Sequence, residues 1–164
     1  MFEQVPTRAA QKAPRLIFPA LSTFYAHGRV ASYVALRIAF GLTIVTHGLP
    51  KLTGSAHGSM ADPFAGSVNL IGNVLGLPFA PQLAMFIALL EVIGGLAVAV
   101  GFATRLFAPM LAIQMAAICV ALGPTYPWID RGIEYPLVLG FVALLISMHG
   151  ATAFSVDTRL GREL

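Results

Sequence analysis

Arg37, His47, Lys51, Glu91, Gln114 and Glu134 sit inside or at the ends of stretches that are largely apolar. Such groups are costly in apolar surroundings unless they find partners, so they are where chemistry is expected. His47 and Lys51 are four residues apart and share one face of a helix. Glu134 opens another apolar stretch at a similar depth, so the three could meet at one mouth. A histidine beside a carboxylate can relay protons, because its pKa lies near neutrality. His47, Lys51 and Glu134 are therefore the candidate catalytic residues, and His47, Glu91, Glu134 and Trp128 the candidates for holding a cofactor. Plainer roles stand beside these. Lys51 could only extend its ammonium toward water, and Glu134 could only complement a helix dipole, with Pro136 fixing the first turn.

Arg37 and Glu91 each lie within an apolar stretch, in helices expected to run in opposite directions. Their expected depths differ by only ~5 Å at 1.5 Å per residue, which predicts an Arg37–Glu91 ion pair. Arg37, Gly41, Ile44, Gly48 and Lys51 form one stripe; Ala84, Ile87, Glu91, Gly94, Gly95 and Val98 form the facing one. Small residues on both allow close approach. The pair either staples two helices or lines a polar cavity. Gln114 needs a hydrogen-bond partner, in this cluster or on a neighbouring helix. Cys119 reads as a packed small hydrophobe, and His27, His57 and His149 as loop or interface residues. No spacing of His, Cys or carboxylate predicts a metal site. His47 and His149 belong near opposite faces, which is poor geometry for haem. There is no phosphate-binding glycine loop and no nucleophile elbow.

The elements that must position these residues follow from composition. The 164 residues are 57% hydrophobic and only 10% charged, with mean hydropathy +0.81. Ten basic and seven acidic side chains cannot cover a water-soluble globule, whose charged fraction is about 25%. A soluble enzyme, a disordered tail and a coiled coil are excluded; with one cysteine, so is an intrachain disulfide scaffold. A membrane-spanning helix needs ~20 mostly apolar residues. Windows 31–49, 82–100, 106–122 and 134–150 qualify, separated by Gly- and Pro-rich breaks. The expectation is an all-α, polytopic membrane protein: a four-transmembrane-helix antiparallel bundle. A short helix after Asp62 and Pro63, with Phe64, Val68, Ile71 and Leu75 on one face, should lie in the interface between spans one and two. The segment 16–27, interrupted by Pro19, is expected not to span.

This divides the chain into an N-terminal cytoplasmic or interfacial segment (1–29), the membrane domain (30–156) and a cytoplasmic tail (157–164). The first strongly apolar run begins near residue 30, late for a signal sequence. Arg8, Lys12, Arg15, Arg29, Arg105, Arg159 and Arg162 fall on the side of the termini, against Lys51 and Arg131 on the other. Both termini are thus expected in the cytoplasm, with Tyr126, Trp128 and Tyr135 as an aromatic anchor at the outer interface. The lipid bilayer is the expected partner. The net charge of +3 marks no nucleic-acid stripe, since the basic residues flank apolar segments.

Leu36-Arg37-Ile38-Ala39-Phe40-Gly41, leading to His47-Gly48-Leu49-Pro50-Lys51-Leu52, resembles the first helix of the DoxX family. Leu90-Glu91-Val92-Ile93-Gly94-Gly95 resembles its second-helix motif, and Gly101 with Thr104-Arg105 its inner turn. Gly132-Ile133-Glu134-Tyr135-Pro136 opens a fourth helix as that family does, and Phe154-Ser155-Val156-Asp157 resembles its ending. The resemblance implies a four-helix protein of the bacterial inner membrane. It also implies a redox setting: some relatives are subunits of a thiosulfate–quinone oxidoreductase, others are linked to quinone or thiol stress. Arg37, His47, Lys51, Glu91 and Glu134 carry over as candidates. The expected function is a redox-associated membrane subunit that binds quinone or a similar amphipathic molecule. No intrinsic cofactor is evident, so a redox-enzyme partner would supply electrons. Two alternatives stay open: a small transporter or channel, as a homo-oligomer whose pathway is lined by Arg37, Glu91 and Gln114, and a non-catalytic scaffold or assembly subunit.

Overall fold

The computed structural model describes residues 16–162. Arg8, Lys12 and Arg15, part of the charge bias above, lie outside the described residues. Within them the chain is helical and forms no strand; the single bridge is the turn pairing of His57 with Met60.

Helix α1 runs Ser22–Thr53, 32 residues, and stops at Gly54, whose φ of 67° suits a residue without Cβ. It begins well before the expected span, because a 3-10 turn at Pro19–Leu21 feeds it directly. Pro19 therefore starts the helix instead of interrupting the segment. At 1.5 Å per residue α1 is about 48 Å long, more than a hydrocarbon core of ~30 Å. Helix α2, Pro63–Asn69, is capped as expected: the Asp62 carboxylate accepts the Ala65 N–H at 2.9 Å. It continues as one wide π-turn, Leu70–Val74. Its apolar face, Phe64, Val68 and Ile71, packs on Ala80, Ala84 and Ile87 of the next rod.

That rod, α3, covers Ala80–Val100 and contains a second π-turn at Leu90–Gly94. Gly101 (φ 73°) ends it, and α4, Thr104–Leu122, starts almost at once. After a 3-10 turn at Trp128–Asp130, α5 covers Glu134–His149 and lies along α4. A short α6, Val156–Leu160, follows. The chain ends of this arrangement define two poles. The loop end holds segments 54–79 and 123–133; the terminal end holds the 101–103 turn and α6.

The rods meet over a core of Phe40, Ile44, Leu90, Val98, Leu111, Met115 and Ile146, with Ala108 and Ala143 fully buried among them. The outside is apolar as well: Ile113 and Val120 are more than 70% exposed, and Ile93, Phe141 and Met148 more than half. Apolar surface of this extent needs hydrocarbon around it. By length and composition α1 (with its 3-10 turn), α3 and α4 can each cross a membrane; α5 is apolar but only 16 residues long.

Candidate ligand-binding site

The register of α1 against α3 decides which polar groups meet. Gly41 lies so close to Gly95 and Ala99 that a Cβ there would strike backbone atoms. One at Gly48 would lie 2.6 Å from the Glu91 Cβ and 3.0 Å from the Ala88 oxygen. Residues level with each other across this antiparallel pair thus have numbers that add to about 138. Glu91 is level with His47, and Lys51 is one turn further along. Arg37 is level with Gly101, about 15 Å away from Glu91 at 1.5 Å per residue.

The expected Arg37–Glu91 pair is accordingly not what forms. Glu91 pairs with Lys51, whose Nζ lies 2.7 Å from both carboxylate oxygens. The Gln114 amide donates to the same carboxylate at 2.6 Å, so α1, α3 and α4 converge on one anion. Glu91 is 2% exposed. A carboxylate so enclosed needs charge-assisted donors, and here it has an ammonium and an amide. The close approach at Gly41, Gly48, Glu91 and Gly95 was correctly read, although Gly94 faces Phe107 of α4 and Ala84 and Ile87 pack against the α2 region. The depth was not: α1 begins earlier than its most apolar window, which places the middle of that window too close to Glu91.

Lys51 and Glu91 form one wall of a cavity of about 640 Å³ at the loop end. Its other walls come from every neighbouring element: His47 from α1, His57 and Met60 from the first loop, Ser67 and Leu70 from the α2 region, Trp128 and Arg131 from the second loop, and Tyr135 from α5. The His47 and His57 rings stand edge to face, 4.8 Å between centroids, and the Tyr135 ring is 6.0 Å from His47. His57 was expected only as a loop residue; a contact made by a loop that folds back over the end of α1 leaves no periodic trace. The cavity is an apolar slot with several nitrogen donors and one neutralised ion pair. It suits a flat amphipathic ring bearing hydrogen-bond acceptors.

Glu134 does not join this wall. Its Oε2 accepts the Trp128 backbone N–H at 3.1 Å and so ties the second loop to the start of α5. Of the proposed trio the cavity therefore takes His47 and Lys51, while Glu134 shapes the loop that carries Trp128. Among the described residues no three His, Cys, Asp or Glu side chains converge as a metal site would require.

Arg37 works at the other pole. It is 1% exposed and donates to the Phe154 carbonyl at 3.1 Å. The Asp157 carboxylate beside it accepts the N–H groups of Ala103 (2.9 Å) and Thr104 (3.2 Å), capping α4 from a segment 53 residues further on. Asp157 also donates its own N–H to the Gly101 carbonyl at 3.0 Å. The C-terminal segment is thus fastened over the 101–103 turn. A pathway lined jointly by Arg37, Glu91 and Gln114 is not brought together, because Arg37 is enclosed at the far pole. His149 lies there too, 5.4 Å from the Tyr33 ring, and the Cys119 thiol points at the Ile133 carbonyl at 3.9 Å.

The family model described as DoxX matches residues 32–123, which contain Arg37, His47, Lys51, Glu91 and Gln114. A curated protein of Bacillus subtilis (strain 168), named "Putative oxidoreductase CatD", is 25% identical over 122 residues, covering 74% of this chain and 81% of that protein. No solved structure matches the chain.

Proposed function

This chain belongs to the DoxX family of membrane proteins, and from that premise we propose that it is a redox-associated membrane subunit whose loop-end cavity binds a quinone or a similar amphipathic ring. One observation carries the reading: a buried Lys51–Glu91 pair, held from behind by Gln114, in the wall of an apolar cavity that also presents His47, His57 and Arg131. The name of the Bacillus subtilis relative, an oxidoreductase, supports the redox half.

The chemistry asked of these residues is limited. A quinone ring carries two carbonyl acceptors, and His47, His57 and Arg131 are donors on different walls. Lys51 and Glu91 neutralise each other, so the pair adds polarity without a net charge that would repel or trap the ring. Two-electron reduction of a quinone also consumes two protons. The imidazoles are the groups suited to deliver them, and a partner redox enzyme is the source of the electrons.

In this reading α5 is a fourth span, with the bilayer thinned around its short length. The loop end faces the periplasm of a bacterial inner membrane, and both termini are cytoplasmic. Arg29, Arg105, Arg159 and Arg162 at the terminal end, against Lys51 and Arg131 at the loop end, support that orientation. The test is direct. The protein extracted in a mild detergent should carry quinone into an organic extract, and His47→Ala should carry less. Wild-type protein free of quinone, and unable to take up added benzoquinone, overturns the proposal.

A further inference from the structure

A second cavity, of about 440 Å³, lies beside the first. It runs between α3 and α4 under the α2 region and opens sideways, where hydrocarbon surrounds the helices. Its walls are apolar: Leu70 and Ile71 above, Phe86 and Leu90 on α3, Ile113 and Ala117 on α4. Phe86 and Ile113, at its lip, are 52% and 71% exposed. Along α4 it extends from Met110 to Ala121, about 17 Å at 1.5 Å per residue. The two cavities share Lys51, Ser67, Leu70 and Ile118 as walls, so they adjoin at the triad.

Two further observations set this cleft apart from an ordinary groove between helices. Both π-turns among the described residues, Leu70–Val74 and Leu90–Gly94, contribute to it; such turns widen a helix and recur at functional sites. Gln114 also lines it, at 7% exposure. Its Nε2 is committed to Glu91, while its Oε1 has no hydrogen-bond donor. A buried acceptor left without a donor is costly, and a ring hydroxyl of the reduced, quinol form of the ligand is the kind of group that would satisfy it.

We propose that this cleft is the tail site and lateral entrance for a chain-bearing amphipathic ligand. The polar ring sits in the loop-end cavity and its hydrocarbon or isoprenoid chain lies between α3 and α4. The inference rests on the ring site proposed above and deepens it: the ligand is a lipid-dissolved molecule with a chain, which enters from the bilayer at the level of Lys51. Lys51 and Gln114 stand where ring and chain would join, so the polar end is drawn inward while the chain remains in apolar surroundings.

Trp128, the chain's single tryptophan, lines the ring cavity and reports on it by fluorescence quenching. The experiment titrates the full protein in detergent with two probes: 2,3-dimethoxy-5-methyl-1,4-benzoquinone, and the same ring carrying a two-unit isoprenoid chain. Concentrations are counted per mole of detergent, so that partitioning cancels. The chain-bearing probe should bind about fivefold or more tightly than the bare ring. Ala117→Phe fills the cleft from an exposed position on α4 and should abolish that advantage while leaving bare-ring quenching in place. Ala121→Phe, one turn further along, repeats the test should the first variant fold poorly. If both probes quench equally in the wild type, or if neither substitution reduces the advantage, the cleft is not a tail site, although the ring site stands. If neither probe quenches at all, the ring site fails and the tail site with it.

Discussion

Lys51 and Glu91, forty residues apart in the chain, form a two-point ion pair with both Nζ–oxygen distances at 2.7 Å. The pair closes at the last turn of α1, where the ammonium also complements the helix C-terminus. It joins α1 to α3, and Gln114 extends the junction to α4. Side chains from three helices are thus tied by one carboxylate, at the floor of the cavity proposed to hold a ring.

Removing one partner should cost more than removing both. Lys51→Met leaves the Glu91 carboxylate enclosed with only an amide, a loss of about 3–5 kcal/mol in comparable buried pairs. The double variant Lys51→Met/Glu91→Leu leaves no buried charge and should recover much of that loss. Thermal unfolding in detergent compares the two. Equal melting temperatures for the single and double variants would show that the pair is not coupled.

The α1–α3 register should be intolerant of a single methyl group at Gly41. A Cβ there meets the Gly95 oxygen and the Ala99 nitrogen, both backbone, so the helices must move apart. Gly28 on the same helix has nothing within 4 Å of its ideal Cβ. Gly41→Ala should therefore destabilise by about 1–3 kcal/mol, the usual cost of overpacking. Gly28→Ala should be neutral or stabilising by up to about 1 kcal/mol through helix propensity. A register set elsewhere would make the two variants alike.

How much of this was legible beforehand follows from the same residues. The apolar stretches, the Asp62 cap, the facing glycine stripes and a partner for Gln114 can all be read locally, because they depend on helical period and on turn chemistry. The Lys51–Glu91 pair could not be read from window centres. Depth was inferred from where hydropathy peaks, whereas glycine contact sets it. Gly41 and Gly48, seven residues apart, opposite Ala88 and Gly95, are the signal that would have given the right register. The contacts of His57 with His47, and of Asp157 with the Ala103 and Thr104 N–H groups, depend on how loops and the C-terminal segment return. No periodicity encodes that.

The C-terminal segment should behave as a fastening for the 101–103 turn. Ala103, the residue before α4, is at φ 45°, and the Asp157 carboxylate accepts both its N–H and that of Thr104. Asp157→Ala removes a charged cap, worth about 1–2 kcal/mol. Amide exchange at residues 103–105 should quicken in this variant, while exchange in the middle of α3 is unchanged. Unaltered exchange at residues 103–105 would mean that the cap is not what holds the turn.

Glu134 and His47 should separate as positioning residue and ligand contact. Glu134 touches the Trp128 backbone and not the cavity, so what matters is an acceptor at that place and not a charge. Glu134→Gln keeps the acceptor and should leave benzoquinone quenching of Trp128 within about twofold, whereas Glu134→Ala frees the loop and should weaken it. His47→Ala removes a donor from the cavity wall itself. One hydrogen bond is worth about 0.5–1.5 kcal/mol, which corresponds to a loss of roughly two- to tenfold in affinity. Rescue by glutamine at 134 together with loss on alanine at 47 is the expected pattern. If Glu134→Gln weakens binding as much as Glu134→Ala does, the carboxylate charge acts on the ligand and the positioning role assigned to Glu134 is wrong.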